Sequence, residues 1–262
     1  MREPHGLQQS AQELVATAAD VLERVRGRSP RVHCITNSVA QAFTANVLLA
    51  FGARPSMTLS GEEIGAFVAA SDALLVNLGT FDAERRAATE TALDAAEDEG
   101  LPWVLDPVLI DRSPMRAAYA KALLVRAPQA VRLNGSEFAA LAGAAPEPGA
   151  VQHAAREAST VIGLTGKVDL VTDGTRLVTL ENGDALMDRV TGMGCVASAL
   201  VAACLAVEGD ALAASVAALL GLGISGEVAA ERANGPGSFA AAILDALHRL
   251  DRETLIARAR VQ

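Results

Sequence analysis

The sequence predicts a three-layer α/β/α fold: a mainly parallel sheet covered by helices on both faces, with an antiparallel hairpin near one edge. Three observations predict it. Short apolar runs alternate with longer amphipathic ones through most of the 262 residues, as βα units in series do. Two of the short runs, "DALLVNLG" and "PWVLDPV", are apolar almost without interruption, as expected of strands buried on both faces. Around Asp173-Gly174 the rhythm changes to two β-rich segments flanking a tight-turn dipeptide.

Taken in order, Leu14, Ala18, Val21, Leu22 and Val25 keep helical spacing, and Gly27 with Pro30 closes that helix. "RVHCIT" is a short strand, "SVAQAFTANVLLAFG" a helix stopped by Gly52, and "PSMTL" the next strand. Ser60 with Glu63 has the spacing of a capping box for a helix reaching about Ala70. "DALLVNLG" precedes a polar-faced helix that ends at Gly100, and "PWVLDPV" precedes a helix near Ala117–Val125. Strand "AVRLN", helix "SEFAALAG", a loop over Gly143–Ala150 and strand "STVIGLTG" follow. "VDLVTDG" and "RLVTLENG" form the hairpin, and the remainder is helical and rich in alanine. No repeat or linker divides the chain, so residues 1–262 are expected to form a single domain.

Apolar residues make up 51% of the chain but aromatics only 3%, so Ala, Val and Leu must fill the core. A net charge of −9 argues against a nucleic-acid or anionic-membrane partner. The opening residues lack the basic-then-apolar pattern of a signal peptide, and the apolar stretch Val196–Val207 is too short to span a bilayer. Three cysteines without a CxxC suit a reducing compartment. The expectation is a soluble cytoplasmic protein.

Ligands of open parallel sheets sit beyond the carboxyl ends of the strands. Polar clusters recur there: Thr36-Asn37, Asn77-Gly79-Thr80, Asp106-Pro107, Asn134 to Glu137, Thr165-Gly166 and the turn "TGMGC". Glycines before a helix aim backbone N–H groups at an anion, although they also simply let a strand turn into a helix. Neither GxxxxGK[ST] nor a GxGxxG after the first strands is present. "NGSE" reads first as a capping box, with an amide and carboxylate near a hydrated Mg²⁺ as a second role that can hold alongside it. Asp106 ends a buried strand and needs N–H donors or a cation. Of the four histidines, His5, His153 and His248 read as surface residues and His33 as structural; Cys34 and Cys204 read as core.

Together these segments resemble hydroxyethylthiazole kinase, a ribokinase-like family of thiamine salvage. "VHCITNSVAQAFTANVLLAFGARPSM" is very similar to the family's opening signature, and "LLVNLGT", "VLDPV", "RLNGSE", "LTGKVDLVTDG", "NGDALMDRVTGMGC" and "GPGSF" follow in family order. The resemblance implies ATP- and Mg²⁺-dependent phosphorylation of the primary alcohol of 4-methyl-5-(2-hydroxyethyl)thiazole. By motif, Met57, Gly192 and Asn37 would contact the thiazole, while Arg116, Thr165 and Gly194 would contact ATP. Asp106, Glu137 and Asn134 would hold Mg²⁺, largely through water. Cys195 would lie beside the substrate hydroxyl, where related sugar kinases place an aspartate, and would act as a partly ionised, weak base. A homotrimer with active sites between subunits is implied as well.

One segment departs from the family pattern. "LIDRSPMR" (109–116) stands where a glycine-rich loop is usual, which leaves Arg112 a second candidate for the phosphates. The rival readings are a kinase of another hydroxyalkyl heteroaromatic ring (hydroxymethylpyrimidine or pyridoxal), a kinase-fold lyase of damaged nicotinamide cofactors, and a non-catalytic nucleotide or thiazole binder.

Overall fold

A computed structural model describes residues 10–262; His5 lies outside the described residues. Its centre is one eight-stranded sheet in the order β2-β1-β3-β4-β5-β6-β7-β8. The strands are β1 (Arg31–Ile35), β2 (Arg54–Ser56), β3 (Ala73–Asn77), β4 (Trp103–Asp106), β5 (Ala130–Asn134), β6 (Val161–Thr165), β7 (Asp169–Thr172) and β8 (Leu177–Leu180). Pairing is parallel from β2 through β6 and antiparallel from β6 to β8, so the hairpin forms the far edge as the sequence predicts. The last residues add to that edge: Thr179 and Gln262 exchange backbone hydrogen bonds of 2.8 and 3.1 Å, and Glu181 N–H donates to Arg260 O at 3.0 Å.

Helices cover both faces. On one lie α1 (Ala11–Arg28), α2 (Gln41–Phe51), α8 (Met193–Leu205), α9 (Ala211–Ala230), α10 (Pro236–Arg249) and α11 (Arg252–Arg258), packed into a core of Ala, Val and Leu. The other carries α3 (Ile64–Ala69), α4 (Ala83–Asp98), α5 (Pro114–Leu124), α6 (Gly135–Ala142) and α7 (Pro148–Ala158). Helices α8 and α9 are apolar all round because both are buried all round. By length and composition α9 would cross a membrane, but 83% of its most apolar window is buried in the fold, as in the core helix of a soluble protein.

Four local expectations are corrected. The Ser60–Glu63 capping box does not form, because the Glu63 carboxylate accepts the Thr58 hydroxyl at 2.5 Å, and α3 begins uncapped at Ile64. The loop read over Gly143–Ala150 shortens, since Pro148 occupies the first turn of α7, a helix the sequence reading passed over. Helix α5 starts at Pro114, not near Ala117, because Ser113 caps it by accepting the Arg116 N–H. The second strand keeps only three residues.

Candidate active site

Sheet register delivers the polar clusters in rows. Asn77 pairs with Asp106 across β3 and β4, and Asn134 pairs with Thr165 across β5 and β6. Strand order reverses at β1, which opens a crevice between the ends of β1 and β3.

Asp106 is fully buried. Its Oδ2 accepts from Asn77 Nδ2 at 2.6 Å and from Ser198 Oγ at 2.8 Å, while its Oδ1 is buried without a partner. Burial pushes this carboxyl up to about 6 against the pull of Arg132. Asn77 also accepts the Gly79 N–H at 2.9 Å, so one amide fixes both the carboxylate and the turn after β3. In that turn Thr80 holds φ at 50°, a strained value for a β-branched residue. Three contacts hold it there: Thr80 Oγ1 donates to Asn37 Oδ1 at 3.1 Å, accepts the Ser38 N–H at 3.1 Å, and shares a hydrogen bond with Ser38 Oγ. Asn37 is thereby fixed at the crevice.

The departing loop is strained too. Leu109, where glycine is usual in the family, has φ 56°, and its N–H donates to Glu137 Oε1 at 2.9 Å. The other Glu137 oxygen accepts the Asn134 N–H at 3.0 Å, and Asn134 Oδ1 accepts the Glu137 N–H at 2.9 Å. The capping box is therefore formed, and both Glu137 oxygens are engaged by backbone. Arg116 donates to Val108 O at 3.1 Å and lies 5.7 Å from the centroid of the Phe81 ring, just after the strained turn. Arg112 points into solvent beside Asp111, with 78% of its side chain exposed.

Helix α8 begins at Met193, two residues earlier than a helix starting at Cys195 after both glycines would. Gly192 is its N-cap at φ 92°, a left-handed conformation that glycine adopts without strain, and Gly194 already lies in the first turn. No side chain caps this end, and the N–H groups of Met193 and Gly194 meet no acceptor among the described residues. Gly192 packs on Ala40, the N-cap of α2, which ties the turn to the Asn37 segment. Cys195 is buried in the same first turn. Burial, then the Asp106 carboxyl, push its thiol up to about 12, so the thiol is neutral at pH 7 rather than partly ionised. Desolvation outweighs the helix N-terminus here.

Thr165 is joined to this turn through Arg132, whose Nη2 donates to its hydroxyl. Asn37, Asp106, Thr165, Gly192, Gly194 and Cys195 are thus brought together directly or through one intermediate residue, with Arg116 and the Asn134–Glu137 cap on the adjoining loop. Met57 stands apart, half-buried after β2. His33 fixes that segment: the Thr58 carbonyl can only accept, so Nε2 donates to it at 3.1 Å, and Nδ1 accepts from Ser56 Oγ at 2.8 Å. His33 is structural, as the sequence predicts.

Two residues escaped the sequence reading. Ser198 is a hydroxyl one turn after Gly194 in an otherwise apolar run, and Arg132 is a charge inside a buried strand; each breaks its pattern and so carried a signal. No group of three His, Cys, Asp or Glu side chains suited to a metal occurs among the described residues. A surface cavity of about 260 Å³ lined by Ser225, Arg232, Arg249 and Arg258 shares no residue with this cluster.

The hydroxyethylthiazole kinase family model matches residues 22–253. A probable hydroxyethylthiazole kinase of Agrobacterium fabrum is 45% identical over 247 residues, covering 94% of this chain and 95% of the relative. The solved structure of a hydroxyethylthiazole kinase protein from Pyrococcus horikoshii OT3 superposes with a TM-score of 0.89 at 38% identity, covering 94% of this chain and 98% of that one. A ribokinase-like superfamily protein of Enterococcus faecalis superposes with a TM-score of 0.63 at 13% identity, over 89% of this chain and 95% of that one, a likeness of fold alone.

Proposed function

The chain belongs to the hydroxyethylthiazole kinase family, and from that premise we propose that it transfers the γ-phosphoryl group of ATP to the primary alcohol of 4-methyl-5-(2-hydroxyethyl)thiazole, a step of thiamine salvage. The observation that carries the reading is the uncapped first turn of α8, its N–H groups open beside buried Asp106. A helix N-terminus without an acceptor suits the oxygens of a transferring phosphoryl group.

Asn37 and Gly192 hold the thiazole ring at the crevice, with Met57, which stands apart in one chain, reaching it from a neighbouring copy of the homotrimer; Arg116, Thr165 and Gly194 hold ATP. Arg112, turned into solvent, is the weaker candidate for the phosphates. The alcohol oxygen bonds to the γ-phosphorus as the bond to the bridging oxygen breaks, and ADP leaves with that electron pair. Cys195 sits beside the hydroxyl as a neutral thiol, so the proton passes to a phosphoryl oxygen. That suits a loose transition state, which depends on positioning more than on a strong base.

The unpartnered Oδ1 of Asp106 is the feature that fits Mg²⁺, held largely through water as this ion usually is. Magnesium would neutralise charge on the phosphate oxygens. Asn134 and Glu137 would join it only by giving up their capping box.

We place residues 1–262 in one kinase domain working in the cytoplasm, where buried, unpaired Cys34, Cys195 and Cys204 would stay reduced. A homotrimer is the assembly proposed. Exposed Leu49 lies on α2 beside β2 and exposed Phe67 lies against His33 of β1, near the segment carrying Met57, and both would be covered by a second copy.

A coupled assay for ADP release tests the activity. Turnover with the thiazole alcohol well above that with hydroxymethylpyrimidine or pyridoxal is expected. Ligand binding without ADP release would overturn the kinase reading in favour of a binder.

A further inference from the structure

Arg132 is absent from the residues that the family resemblance supplies, yet its guanidinium lies closest to the first turn of α8. It projects from β5, an interior strand, where a charge must find partners. It has few. Nη2 donates to Thr165 Oγ1, Nε is shut off from solvent with no partner, and Arg132 makes no ion pair among the described residues.

A Cβ on Gly194 would stand 2.5 Å from Arg132 Nη1, so the guanidinium packs directly against that turn. The turn is itself electropositive: a helix N-terminus carries roughly half a unit charge, and the N–H groups of Met193 and Gly194 have no acceptor. Two sources of positive charge face each other with donors to spare. Asp106 and Asp169 feel the Arg132 charge, but neither accepts a hydrogen bond from it, and a ligand rich in anionic oxygens would.

We propose that Arg132 is a catalytic residue that grips the γ-phosphoryl group of the nucleotide together with the first-turn N–H groups of α8. The proposal rests on the kinase reading above. Before nucleotide binds, the guanidinium is held against Thr165; when it binds, the spare donors take phosphoryl oxygens. A planar fork reaches two such oxygens at once, which a lysine does not. In a loose transition state charge lies on the equatorial oxygens, so donors fixed there stabilise it more than the bound ground state.

The test uses Arg132→Met and Arg132→Lys in the full chain, with steady-state kinetics and calorimetric binding of ATP and ADP. For Arg132→Met, kcat should fall about 100-fold or more, the scale for losing one transition-state donor, with little change in KM for the thiazole alcohol. Its ATP affinity should drop about tenfold while ADP affinity holds, because only the γ-phosphoryl contact is lost. Arg132→Lys should fall between Arg132→Met and wild type in kcat. Equal losses of ATP and ADP affinity, or an unchanged kcat, would overturn the proposal and leave Arg132 a strut for β5. If the Met variant fails to fold, ATP against ADP binding of the Lys variant decides. If wild-type protein turns over no thiazole alcohol, the kinase reading fails, and the ATP/ADP comparison still judges the arginine.

Discussion

At the ends of β3 and β4 almost every polar atom has a protein partner, whereas at the end of β5 and the first turn of α8 several have none. Asn77, Asp106, Ser198, Asn37 and Thr80 are held by hydrogen bonds within this end of the sheet, strained at Thr80, with Asp106 Oδ1 the buried atom of the set that lacks a partner. Across the crevice Arg132 Nε and the N–H groups of Met193 and Gly194 wait for acceptors. A closed network fixes geometry in advance; an open one is completed by what binds. In the proposed reaction the closed half orients and the open half receives the anion.

Gly194→Val strikes the open half hardest. A side chain there collides with Arg132 and covers the turn, so kcat should fall by at least about 100-fold, the lower end for a lost oxyanion donor. Steady-state kinetics beside a melting curve decides the point: activity lost with fold intact is expected, and a fully active variant would erase the contrast between the halves. Next in size is Arg116→Ala, which should weaken ATP binding by about 1.5–3 kcal/mol, the range for hydrogen bonds to charged groups. Solvent-exposed Arg112→Ala should cost less. Calorimetric titration showing the reverse would move the phosphate contact to the departing loop.

Glu137→Gln probes a closed element. Both carboxylate oxygens accept backbone N–H groups, and an amide can replace only one of them, leaving NH₂ against N–H. Urea unfolding should show a loss of about 1–3 kcal/mol, more than a capping box read from spacing alone would suggest. Unchanged stability would place Glu137 outside the closed set.

The smallest effect concerns pH. Burial lifts Asp169 to about 6, as it does Asp106, so near these groups the folded chain binds more protons than the unfolded one between about pH 4 and 6. Their contribution to stability therefore declines as pH rises through that window. Asp169→Asn keeps an oxygen for the Gly166 N–H and removes the buried charge. Relative to wild type, the variant should gain stability between pH 4 and pH 7 in urea titrations; a constant difference would refute the burial argument.

Much of this was legible in the sequence. Alternating periodicity gave the layers and the strands buried on both faces, and the Asp173-Gly174 turn gave the hairpin, because burial and turn chemistry are local properties. Position at strand ends marked Asn37, Asp106, Asn134 and Thr165. What stayed hidden depended on distant partners. Nothing near Glu63 announces that Thr58 takes its carboxylate, nothing beside Cys195 reveals the desolvation that keeps it neutral, and Arg132 gains meaning only once α8 is folded against β5.

The pairing of residues 260–262 with β8 has a consequence for aggregation. An open sheet edge offers unpaired N–H and C=O groups to any passing strand. At β2 the edge is guarded by brevity and by Pro55, which has no N–H to give. At β8 the guard is a remote segment, kept in place by α11, whose Leu255 is buried in the core. Loosening α11 by heat or truncation would peel that strip away and leave Thr179 and Glu181 exposed as a template for a second molecule. The chain would then aggregate from this corner while the rest of its sheet and the first turn of α8 were still folded.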